Sequence, residues 1–209
     1  MARVKTYQQR RFSLTYADLL ASARYRPAAQ FFLDELYGPR DFTRRDTQFE
    51  RVVPALVQLF PMPIVATVAV LAELHALSEQ LDSALAARLD ADRPLDAQNY
   101  VQAWQAGATA ARREQQIALT LAVGEALDRL TGNPVLLGSL RLMRVPAIAA
   151  GLGDLQDFLE AGFDSFRAMH GAREFLGLVD AREHRLNRAL FDAPPGPAGA
   201  ELQALLPAS

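Results

Sequence analysis

The residues best equipped for chemistry lie in one short run, Phe31 to Asp46, FFLDELYGPRDFTRRD. Its apolar half, Phe31, Phe32, Leu33 and Leu36, covers more than half of a helix circumference and points to burial on several sides. Beyond the Gly38-Pro39 corner, Arg40, Asp41, Arg44, Arg45 and Asp46 crowd together. Bidentate pairing of arginine with carboxylate would make this a clasp between two helices. The alternative is a cradle for an anionic ligand, with Tyr37, Asp41, Arg44, Arg45 and Asp46 around it and the amides of a helix beginning near Thr43 facing it. The composition of the run favours the clasp.

A second candidate is Glu73-Leu-His-Ala-Leu-Ser-Glu-Gln-Leu-Asp82. His75, Glu79 and Asp82 stand at i, i+4 and i+7, so they share one helix edge beside a leucine stripe. That spacing could hold one side of a metal ion. The Glu-x-x-His pair of di-iron bundles is missing, however, because Glu73 and His75 are two residues apart. No metal is therefore assigned, and a solvated flank is favoured. His75 could also serve as an axial haem ligand against the upstream phenylalanines, although no Cys-x-x-Cys-His attachment site exists.

Further arginines complete the set. Arg113 on a long helix, and Arg141 and Arg144 three residues apart, could guard the mouth of a pocket between helices. Arg141 and Arg144 could equally meet Asp157 or Glu160 of the following helix. Nucleophilic catalysis finds no support: there is no Gly-x-Ser-x-Gly elbow, and Gly151-Leu-Gly153 follows no strand that would make it a dinucleotide loop.

Helices must position all these groups. Apolar residues recur at three- and four-residue spacing, and strand-like alternation is nearly absent. The spacing predicts helices over about 14–24, 27–37, 43–60, 64–89, 96–106, 108–130, 135–143, 147–150, 155–169 and 172–191. Ser13 is expected to cap the first and Asp154 the penultimate one. Pro54 should kink the third, and Val145-Pro146 should divide the short apolar pair. The expected object is an all-α single domain, a multi-helix bundle of about eight to nine helices over 13–191. A flexible arm over 1–12 precedes it, and a mobile Pro/Gly-rich tail over 192–209 follows.

Composition narrows the function classes. The chain has 209 residues, is 50% hydrophobic and 22% charged, and carries a formal net charge of −2, enough apolar material for one sizeable core. Near-neutral charge argues against nucleic-acid binding, as does the lack of an Arg/Asn/Gln-rich recognition helix. Lys5 is the only lysine, and cysteine is absent. An Ala- and Arg-rich, Lys-poor composition reflects GC-rich coding and a bacterial source, and the cysteine usage suits a reducing cytoplasm. No apolar stretch is expected to span a bilayer without charges.

The run FFLDELYGPRDFTRRD, with LAELHALSEQLD and LRLMRVPAIAAGLGDLQDFLEAGFDSF, resembles a family of uncharacterised all-helical bacterial proteins marked by FFLxxLYGPxDFxxRD. The resemblance implies a helical fold and carries no activity with it. On these grounds the expected function is noncatalytic, through self-association as a homodimer or contact with another protein, without a cofactor. The alternative is a module that binds a small apolar or anionic ligand, haem included, between its helices.

Overall fold

The computed structural model describes residues 1–35, 57–58, 60–90, 93–194, 202 and 205–207. Among them run ten helices: α1 Ala2–Thr15, α2 Ala17–Ala21, α3 Arg26–Glu35, α4 Met62–Ala86, α5 Ala97–Gly107, α6 Ala110–Thr131, α7 Pro134–Leu142, α8 Arg144–Ala149, α9 Gly153–Ala168 and α10 Arg173–Asp192. No strand occurs among the described residues. The expected all-α class holds.

The boundaries follow local chemistry. Asp96 accepts from the Asn99 amide at 2.8 Å while the Asn99 side chain accepts from the Asp96 amide at 3.0 Å, a reciprocal cap that starts α5. Asn133 accepts from the amides of Val135 and Leu136, and Pro134 follows it at the first helical position. Gly151 ends α8 at φ +78°, and His170 and Gly171 take left-handed angles of 54° and 109° between α9 and α10.

Several expectations are corrected. Residues 2–12 form most of α1, whose Val4, Tyr7 and Phe12 are buried, instead of an arm. Ser13 lies inside that helix and bonds back to the Gln9 carbonyl at 3.0 Å, so it caps nothing. The α7–α8 break falls at Met143, and Pro146 sits in the first turn of α8, where its missing N–H leaves no helical bond unmade. Asp154 lies in the first turn of α9 and does not cap it. At the tail, Leu202 and Leu206 are buried in the core.

Helix α6 is the central strut, packed against α4, α10, α9 and α7. A larger apolar cluster joins Phe12, Tyr16, α3, the first half of α4, the last half of α6, α9 and the start of α10. Its aromatic centre includes Phe32 and Phe175, edge to face at 5.5 Å, and Phe31 against Phe158 at 5.1 Å. A smaller cluster gathers Val4, Tyr7, Leu85, Tyr100, Trp104, Leu186 and Leu190. Helices α1, α4 and α10 run through both. By length and composition alone α4 could cross a membrane, although it carries Glu73, Glu79 and Asp82, and its Leu71, Leu74, Leu77 and Leu81 are buried here.

Candidate functional site

Between the two apolar clusters lies a polar layer. On α1 it interrupts the buried stripe after Tyr7 with Gln8 and Arg11, before Phe12; on α4 it is Asp82, and on α10 Glu183 and Asn187. Helix α6 adds Arg113 and Thr120. Polar groups at core positions are costly unless partnered, so their bonds define the site.

Glu183 accepts from Arg11 at 2.5 Å and from the Tyr16 hydroxyl at 2.7 Å. Gln8 donates to Asp82 at 2.9 Å. Arg113 donates to Gln116 at 3.0 Å, and Gln116 in turn donates to Ser78 at 2.8 Å. The Arg113 guanidinium carbon lies 3.6 Å from the centroid of Trp104. Asn187 turns its amide nitrogen to Glu114, which His184 holds from the other side at 2.8 Å. These side chains border a partly open cavity of about 30 Å³ lined by Gln8, Arg11, Trp104, Arg113, Glu183 and Asn187, with Ile117, Val179 and Leu186 as its apolar wall. The Trp104 indole N–H and the Asn187 amide oxygen are among the buried side-chain atoms that have no hydrogen-bond partner among the described residues.

The electrostatics follow from burial. Desolvation pushes the Tyr100 hydroxyl up to about 12 and raises Tyr7 further. It also raises the Asp82 carboxyl, against the pull of the Gln8 amide and the Arg113 charge. The arrangement can bind and orient a small polar group. It presents no Ser-His or Cys-His pair for nucleophilic attack.

A family model, described as Domain of unknown function (DUF8198), matches residues 1–197. The chain belongs to the DUF8198 family. Neither a curated protein nor a solved structure matches it.

The described residues among those expected to act are dispersed over this DUF8198 fold. Tyr37, Asp41, Arg44, Arg45 and Asp46 lie outside the described residues, as do Thr43 and Pro54. Of the ligand-binding candidates among the described residues, Arg113 alone lines the chamber. Arg141 meets Asp164 at 3.4 Å, and Arg144 grips Glu160, one contact being 3.1 Å. His75 is half-buried on α4, Glu79 pairs with Lys5 and Asp82 with Gln8. No group of three or more His, Asp or Glu side chains is placed to share a metal ion among the described residues. Gln8, Arg11, Trp104, Glu183 and Asn187 were not singled out from the sequence as a site; the signal for them is a polar residue where the apolar stripe demands an apolar one.

Proposed function

We propose that this protein acts by self-association, two copies joining through the outer face of α7 and α8. One observation carries the reading: Val135, Leu142, Val145 and Ile148 are 73%, 80%, 76% and 57% exposed. With Gly138 they recur every three or four residues, which places them on one stripe. Met143, between the two helices, keeps near-helical angles of φ −76° and ψ −8°, so the stripe continues from α7 into α8. Exposed large apolar side chains in a row mark an interaction surface on a folded protein.

A second copy fits this surface better than an unrelated partner. The rim carries both signs, with Arg141 beside Asp164, Arg167 at 3.8 Å from the same carboxylate, and Arg144 beside Glu160. A two-fold axis through the stripe can set each arginine toward a carboxylate of the other copy while the apolar rows meet. The arginine-rich, cysteine-free composition supports a bacterial cytoplasmic setting.

Sedimentation velocity across a concentration series tests the reading. The wild-type chain is expected to dimerise, and Leu142→Glu with Val145→Glu to weaken the dimer by roughly a hundredfold with an unchanged helical circular dichroism spectrum. A wild-type chain that stays monomeric at the highest concentration reached overturns it.

A further inference from the structure

We infer that the polar chamber between α1, α5, α6 and α10 is a binding site for a small planar oxyanion carrying one O–H group, of the hydrogencarbonate class. Three features select that class. The cavity of about 30 Å³ has room for roughly two waters, which suits an occupant of a few heavy atoms. The Trp104 indole N–H is a donor without a protein acceptor among the described residues, so the ligand must accept. The Asn187 amide oxygen is an acceptor without a protein donor, so the ligand must also donate.

The Asn187 oxygen has a fixed orientation, because its amide nitrogen is committed to Glu114 and Glu114 to His184. The charge in the wall fits an anion. Arg11 already neutralises Glu183, to which the Tyr16 hydroxyl also donates, and Arg113, whose charge also acts on Asp82, lies over the Trp104 ring, whose N–H it leaves at the edge for a ligand in the ring plane. A planar oxyanion can receive the indole N–H on one oxygen, lie beside the Arg113 cation, and give its single O–H to Asn187. A carboxylate such as formate satisfies the donors and leaves the Asn187 oxygen without a partner, a mismatch that costs binding.

Trp104 is the only tryptophan, so one indole N–H resonance in a proton–nitrogen NMR spectrum of the whole chain reports the chamber. Titration with sodium hydrogencarbonate is expected to shift that resonance saturably, and sodium chloride at matched pH and ionic strength to leave it in place. Sodium formate should bind about tenfold more weakly. Asn187→Leu should bring hydrogencarbonate down to the formate level while formate is unaffected. No saturable shift, or an indole that shows contact with water alone, overturns the site. Equal affinity of the wild-type chain for formate and hydrogencarbonate overturns the O–H assignment, whether or not the variant folds.

Discussion

Arg113 lies over Trp104, its guanidinium carbon 3.6 Å from the ring centroid, while being only 2% exposed. A cation so deep in a helical bundle needs compensation, and the indole face supplies part of it. The same stack props open the polar layer between two apolar clusters, so stability and the candidate ligand site share residues. Each pair in that layer can be tested separately.

Trp104→Leu removes the aromatic floor and leaves a void beside Arg113. The expected cost is about 3 kcal/mol in urea unfolding. Arg113→Met keeps the volume and removes the charge. The double variant should then cost less than the two single costs together by about 1 kcal/mol, the share belonging to the stack. Strict additivity would show that ring and guanidinium merely lie adjacent.

The Arg11–Glu183 pair, 3% and 8% exposed, is held further by Tyr16. Breaking a buried pair from one side strands the other charge. Glu183→Leu should therefore destabilise by about 3–5 kcal/mol, and adding Arg11→Met should restore much of the loss. Tyr16→Phe, which removes one hydrogen bond to a carboxylate, should cost about 1.5–3 kcal/mol. Denaturant midpoints of the four proteins, wild type included, decide between a coupled triad and independent groups.

These residues also explain what was legible in the sequence. Helices α4, α5, α6, α9 and α10 carry dense apolar repeats and clear end signals, such as Asp96 and the His170-Gly171 junction, so their extents follow from spacing. Helix α1 did not read as one. Its stripe runs Val4, Tyr7, Gln8, Arg11, Phe12, and the two polar members break the apolar periodicity where they build the chamber. Glu183 was hidden likewise, flanked by Arg182 and His184 in a run that resembles a solvated face. A buried polar layer erases the pattern by which cores are recognised. The site was illegible because it is polar and internal.

Two carboxyls should respond to pH in opposite senses. Burial raises the Asp82 carboxyl above its unfolded value. The native state then holds that proton more tightly, so the Asp82 contribution to stability grows as pH falls through the native value toward about 4. Arg144, and then Gln156, lower the Glu160 carboxyl. Its contribution is present above the unfolded value and is lost as pH falls through the native one. Asp82→Asn should raise the urea midpoint at pH 7 and change little near pH 4, whereas Glu160→Gln should lower it at pH 7 and change little at the acid end. Curves of the same sign for both would refute the assignment of burial as the dominant influence on Asp82.

Two glycines separate close backbone packing from simple helix propensity. A methyl group at Gly107 would meet the Leu85 backbone nitrogen at 3.1 Å and the Ala84 carbonyl carbon at 3.2 Å, and backbone atoms of α4 cannot step aside as a side chain can. At Gly177 on α10 the same methyl meets nothing within 4 Å. Gly107→Ala should therefore lose about 1–3 kcal/mol by forcing α5 off α4. Gly177→Ala should gain up to about 1 kcal/mol by restricting the unfolded chain and favouring helix. Thermal unfolding of the pair measures both, and a stabilised Gly107→Ala would show that α4 and α5 do not approach as closely as the smaller cluster requires.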